Sequence, residues 1–365
     1  MFKKIQEFLI KDINESRFDF LGVYNGRCFW VEKEGVFTYK NELRELIHIE
    51  NLVNYFLIGG KYLYVADKNP NCKRNLINIM DLDVTSFTKD VELSSGNENI
   101  IVGIDQVTSD TVALSLETFS ILWRKKGKYY FEHFDGFTFS RWPNEIALYN
   151  NSTGNEIWQL SSFSKFDYKV KVFTSEPSEH RRAELLRILG VYKNVVWLKL
   201  NSGRLLGLST TNGELLYNIT HPNYFPLGSL DHTDIESGFL GYYTHLDRQT
   251  GMLFGLHRHY YWEIDLDNPE ESFILYNITY SAEKYGIEAD SNISFPFTNN
   301  EIFFNSKYPD KNGIGVFDRN KKEIVWAAPV ERSSRGFPAV KKMDYADNKF
   351  YVLTDNGNLI IYERQ

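Results

Sequence analysis

The chain has 365 residues, 42% of them hydrophobic, with 23 Tyr, 27 Phe and 7 Trp. That is enough for two ordinary domains or one closed repeat fold, and the aromatic load suits the half-buried surface of β-sheets. Net charge is −7, and the basic residues fall in pairs such as Lys3-Lys4, Lys125-Lys126, Arg181-Arg182 and Lys341-Lys342. This is no footprint for nucleic acid, and no stretch approaches the ~20 apolar residues of a spanning helix.

Met1–Ile13 carries early lysines but neither the apolar core nor the small-residue site of a secretory signal. A cytoplasmic setting is therefore expected, with Cys28 and Cys72 as two free thiols. Lys4–Ile10 reads as a strand, although Phe2, Ile5, Phe8, Leu9 and Ile13 also fall near helical spacing. A first set of short strands is predicted at Phe18–Tyr24, Arg27–Glu32, Val36–Lys40 and Leu43–Ile49. A second follows at Leu52–Ile58, Tyr62–Ala66, Leu76–Leu82 and Thr88–Leu93.

The third set is read at Ile100–Asp105, Thr111–Leu116, Phe119–Arg124 and Tyr129–Phe134, with Lys126-Gly127 turning its last pair. The fourth is Phe137–Arg141, Glu145–Tyr149, Glu156–Leu160 and Tyr168–Phe173, and residues 100–173 also read as one expanded unit. After a polar break at Thr174–Arg182 comes Leu185–Val191, Val195–Leu200, Leu205–Leu208 and Leu215–Ile219. The sixth set is Phe239–Thr244, Met252–Leu256, Tyr260–Leu266 and Phe273–Ile278. The seventh is Ile287–Phe295, Glu301–Asn305, Gly315–Phe317 and Glu323–Ala327. Only three strands remain at the end: Val340–Tyr345, Lys349–Leu353 and Leu359–Tyr362. The missing fourth is assigned to Lys4–Ile10, because a ring of blades must leave no apolar face wet and no long edge unpaired.

The expected fold is all-β: one β-propeller domain, residues 1–365, of seven or eight four-stranded blades closed by the two terminal strands. One grammar recurs. Ala147-Leu-Tyr leads to Thr153-Gly154-Asn-Glu156-Ile-Trp158. Leu206-Gly-Leu leads to Asn212-Gly213-Glu214-Leu-Leu-Tyr217. Gly315-Val-Phe-Asp318 leads to Glu323-Ile-Val-Trp326, without the turn glycine and with turns of slightly different length. This resembles the blade motif of quinoprotein-like propellers, the PQQ-binding-like repeat superfamily. The ring is expected to cover the neighbouring blade. Quinone-dependent members use an adjacent cysteine pair, a calcium site and an acidic base. Cys28 and Cys72 stand apart here, so the resemblance implies the non-catalytic branch, binding scaffolds without a cofactor.

Candidate binding residues are the loop aromatics Tyr224 and Phe225, with Phe295 and Phe297, and the segment His257, Arg258, His259 and Tyr261. His257 and His259 share one face of a strand and His245 lies one hairpin earlier, so the three imidazoles form a candidate metal set. Ser229, Asp231, His232 and Asp234 lack the context of a catalytic triad. Arg181, Arg182 and Arg187 read as a solvated strand entry. The leading expectation is a monomeric, non-enzymatic propeller that binds a protein through one face, with no nucleic-acid or membrane partner. A specialised version is an immunity-type inhibitor of a basic toxin, on the strength of the acidic balance. The alternatives are a metal-dependent hydrolase or lactonase with its site in the central funnel, and a glycan-binding protein using exposed aromatics.

Overall fold

The computed structural model describes residues 1–9, 20–24, 27–32, 35–40, 43–48, 52–58, 61–67, 74–87, 91–134, 136–170, 179–219, 244–257, 259–289, 296–306, 312–331, 340–354 and 356–365. Its strands form antiparallel meanders in chain order, and the fold is an eight-bladed β-propeller. The first blade is Phe20–Tyr24, Arg27–Glu32, Gly35–Lys40 and Leu43–His48. The second is Leu52–Ile58, Tyr62–Asp67, Arg74–Asn78 and Val84–Phe87. The third is Val91–Gly96, Ile100–Asp105, Thr111–Ser115 and Ile121–Lys125, and the fourth is Phe131–Phe134, Phe137–Trp142, Glu145–Tyr149 and Glu156–Leu160.

The fifth blade is Leu185–Tyr192, Val195–Leu200, Leu205–Ser209 and Leu215–Ile219. The sixth is His245–Asp247, Met252–His257, Tyr260–Asp265 and Ile274–Asn277. The seventh shows three described strands, Glu301–Ser306, Gly313–Asp318 and Glu323–Pro329. The eighth joins Val340–Ala346, Lys349–Thr354 and Asn358–Arg364 to the N-terminal strand Phe2–Leu9, which pairs antiparallel with the C-terminal one from Phe2↔Arg364 to Leu9↔Asn358. The terminal pairing expected from the sequence is thus present.

Three assignments are corrected. The outer strand of the second blade is Val84–Phe87, not Thr88–Leu93, and Val91–Gly96 pairs with Ile100–Asp105 to open the third blade. Tyr129–Phe134 is not the outer strand of the third blade. Phe131–Phe134 pairs with Phe137–Trp142 and opens the fourth, so Lys126-Gly127 is a connector between blades, not a hairpin turn. Tyr168–Phe173 is not the fourth blade's outer strand either. Tyr168–Val170 pairs with Glu179–Arg181 in a two-stranded ribbon of its own. The cause lies upstream, in a turn at 78–83 that reads as strand because Ile79, Met80 and Leu82 are apolar.

That turn is the repeating device of the fold. Between third and fourth strands, residues 78–83, 115–120, 150–155, 209–214 and 318–323 have one length and one bonding plan. The fifth residue's N–H returns to the first residue's carbonyl in each: Leu82 to Asn78, Phe119 to Ser115, Gly154 to Asn150, Gly213 to Ser209 and Lys322 to Asp318. The first side chain accepts backbone N–H groups inside the turn, as Asn150 Oδ1 does from Ser152 and Thr153 and Asp318 Oδ1 does from Asn320 and Lys321. The fifth residue is left-handed, with φ between 55° and 72°. The slight variation in turn length read from the sequence does not exist.

Glycine occupies that position only where a ring needs the room. A Cβ on Gly154 would stand 2.6 Å from the Trp123 ring, and one on Gly213 would stand 2.8 Å from Trp158. Each indole N–H then donates to a carbonyl of the same turn, Trp123 to Asn151 at 2.7 Å and Trp158 to Thr210 at 2.9 Å. The outer strand of one blade is thereby docked on the next. Lys322 meets Tyr261 and Tyr276 differently, its ammonium lying 4.9 and 4.8 Å from the two ring centres. Tyr217 departs from the rule: it stacks on Trp197 of its own blade, centroids 5.4 Å apart, over Gly207.

The chain packs as two compact units, Met1–Lys89 with Leu256–Trp262 and Leu275–Gln365, and Asp90–Gly255 with Glu263–Ile274. In the first, Cys28, Trp30, Phe37 and Tyr39 pack with Tyr351, Leu353, Leu359 and Ile361, so the first blade lies on the eighth. Its α-helix Thr279–Tyr285 covers the outer strand of the seventh blade: Ile324 N–H donates to Ser281 Oγ and Tyr285 Oη donates to Val325 O. In the second, Phe139, Ile146, Leu148 and Trp158 pack with Leu198, Leu206 and Leu208 between the fourth and fifth blades. Among the described residues no helix is long and apolar enough to cross a membrane.

Candidate binding surface

Antiparallel strands place the blade-to-blade connectors and the turns between second and third strands at one end of each blade. At that end of the second unit, Lys125-Lys126-Gly127-Lys128-Tyr129-Tyr130 joins the third blade to the fourth. The connector is pinned. Thr111 N–H and Oγ1–H both donate to Gly127 O, Tyr129 N–H donates to Thr111 Oγ1, and Gly127 N–H donates to Asp110 Oδ1. Gly127 sits at φ +91°, which a side chain rarely tolerates.

Two cations of this run are spoken for. Arg124 pairs with Asp105 at 2.7 Å and donates to Thr108. The Thr108 N–H above all, then that guanidinium and the Val107 N–H, hold the Asp105 carboxyl down at about 2. Lys125 lies between the rings of Tyr129 and Tyr149, at 4.6 and 4.0 Å. Lys126 and Lys128 are exposed and make no ion pair among the described residues. Beside them Tyr130, 65% exposed, meets Trp142, 40% exposed, edge to face at 5.9 Å. Trp142 ends the second strand of the fourth blade, and its Pro143 turn accepts the Leu185 N–H. Val107, at the same end, is 78% exposed.

The opposite end of the same two blades is fastened by a polar chain. His133 Nε2 lies 3.0 Å from Ser95 Oγ, and Nδ1 lies 3.0 Å from Thr138 Oγ1. Thr138 spends its own proton on Asn151 Oδ1 at 2.5 Å. Nδ1 must therefore carry the imidazole proton and Nε2 must accept from Ser95. Burial brings this histidine down to about 4, so it is neutral near pH 7.

The sequence-derived candidates fare differently. Tyr224, Phe225 and Arg258 lie outside the described residues, as do Cys72, Phe295 and the Ser229–Asp234 segment. Cys28 is a buried free thiol. Tyr261 has no exposed surface: its ring packs on Phe317 at 4.7 Å and its hydroxyl accepts from Arg319 Nε. His257 is half-buried, and His259 is half-buried with Nε2 3.5 Å from Glu288 Oε1. His245 is buried and stacked on Phe254, and burial beside Arg187 and Lys199 takes it down to about 3. Arg187 thus belongs to the surroundings of a buried lysine, since Lys199 donates to Thr244 Oγ1 and is brought down to about 7 by burial and by Arg187.

Among the described residues, no group of three or more His, Cys, Asp or Glu could hold a metal ion. Tyr130 and Trp142 were not singled out from the sequence. Three lysines in four residues followed by two tyrosines were the available signal.

No protein-family model matches the chain, and no curated protein matches it. Solved structures do. BamB from Moraxella catarrhalis superposes with a TM-score of 0.56 at 8% identity, covering 100% of both chains. Sqt1 from Saccharomyces cerevisiae gives 0.56 at 10% identity, and the computationally designed Ika8 protein gives 0.55 at 10%, each covering 99% of this chain and 98% of the other. The likeness is one of fold. It places the chain among β-propellers and leaves its ligand to be argued from its own residues.

Proposed function

We propose that this chain is a non-enzymatic β-propeller that holds another protein by the connector end of its third and fourth blades. The observation that carries the reading is the exposed Tyr130–Trp142 pair on a backbone held by Thr111, Asp110 and Leu185. Aromatic rings shown to water on rigid loops are what interface hot spots are made of, and little ordering entropy remains to be lost on binding. The rings docked on turn glycines favour a place in the non-catalytic branch of quinoprotein-like propellers. A cytoplasmic site of action and a monomeric chain are parts of the same proposal.

Affinity capture with the full chain from its native cells tests it. One partner at stoichiometric yield is expected, lost in the Tyr130→Ala/Trp142→Ala double variant while the melting temperature is retained. Capture that is indifferent to the double variant would overturn the choice of surface.

A further inference from the structure

The charge of the connector run 124–130 is opposite to that of the chain. Net charge is −7, yet Arg124, Lys125, Lys126 and Lys128 crowd five consecutive residues, and two of the four have no carboxylate or ring to answer them among the described residues. An acidic ligand is disfavoured by the net charge of the chain and drawn to this run. Several carboxylates at the same end are already engaged: Asp105 by Arg124, Asp110 by the Gly127 N–H, Glu92 by Gln106, Glu132 by Arg141 at 2.9 Å, and Glu145 by Gln159.

They also limit the reach of the positive field, which falls off over about 10 Å in ordinary salt. A nucleic-acid strand needs phosphates matched to cations along its length. A short peptide with a few carboxylates needs only the two lysines.

Resting on the protein-binding reading above, we infer that the partner presents an acidic segment interspersed with apolar side chains. Its carboxylates pair with Lys126 and Lys128, and its apolar side chains seat on Tyr130 and Trp142. The aromatic pair supplies the buried area and the lysines supply steering and register. The net acidity of the chain by itself suited a basic ligand; the local charge at this surface suits the reverse.

The probe is a fluorescein-labelled peptide of about a dozen residues in which Glu and Asp alternate with Leu and Phe, followed by anisotropy against the full chain. Saturable binding is expected. It should weaken about tenfold or more in Lys126→Glu/Lys128→Glu, by a similar factor in Trp142→Ala, and on raising salt from about 50 to about 500 mM. Lys341→Glu, an exposed charge elsewhere, should bind as the parent does.

Absence of binding, equal binding by the charge-reversed variant, or tighter binding of an oligothymidine or a phosphatidylserine vesicle would overturn the inference. Both lysines are exposed, so an unchanged melting curve certifies the variant's fold. If the charge-reversed chain still captures its stoichiometric protein partner, the acidic segment is wrong and the protein-binding reading stands. If the parent chain captures none, that reading itself is lost.

Discussion

Trp158 and Trp142 belong to one blade and meet opposite fates. Trp158 lies over Gly213, donates its N–H to Thr210 and is 7% exposed. Trp142 stands at a hairpin end, 40% exposed, with Tyr130 the one aromatic ring against it among the described residues. What separates them is the neighbouring turn. One ring lies over a glycine with a carbonyl positioned to take its N–H; the other is open to solvent beside Tyr130. Tryptophan content alone therefore says nothing about function in this fold. The turn opposite each ring does, sorting the rings that join blades from the ring that is on offer.

The comparison breaks most sharply at the joint. Trp158→Ala should cost about 3–5 kcal/mol, as a large ring lost from a packed site, and calorimetry should show the melting temperature falling. Next is the polar chain at His133. Its folded pKa of about 4 lies below the ordinary 6.5, so the unfolded chain binds the extra proton first. Its stability contribution is complete above pH 6.5, declines as pH falls, and is gone below pH 4. The loss should be roughly 3 kcal/mol by denaturant titration, and His133→Gln should flatten that slope.

Gly213→Ala should cost about 1–3 kcal/mol, since the new methyl meets the Trp158 ring at 2.8 Å and the backbone is left-handed there. The smallest effect should be Trp142→Ala, within about 0.5 kcal/mol in stability, although it removes a binding ring. A large destabilisation there would mean that Trp142 is another joint.

Much of the fold was legible. Alternating short strands, Asn-Gly and Thr-Gly turns, and the lone fourth strand at the N-terminus led to a propeller closed by its ends. What hid the remainder was chemistry that imitates strands. Phe119 and Leu82 occupy left-handed turn positions yet read as strand residues, so a copy of the repeat ending in Trp123 went unrecognised and the third and fourth blades were cut one strand late. A fixed interval was available as the cure: Ser115 to Trp123, Asn150 to Trp158, Ser209 to Tyr217 and Asp318 to Trp326 have equal spacing. Leu215-Leu-Tyr-Asn-Ile219 and Ile274-Leu-Tyr-Asn-Ile278 repeat almost letter for letter. The helix Thr279–Tyr285 was announced only by Gly286 at its end.

The candidate surface was harder to see. Lys125–Tyr130 is visible as composition, but whether Tyr130 points to core or water depends on which strand it leads into. Tyr261, expected at a surface, is buried because its strand is the third of its sheet and its ring meets Phe317.

The most direct measurement is photo-crosslinking in native cells with a benzophenone amino acid placed at position 130 or, as a control, at position 280, where Tyr280 is 82% exposed on the helix. A single protein adduct at position 130 and none at 280 is the expected result. Equal labelling at both positions, or an adduct only at 280, would contradict the assignment of the connector end as the working surface.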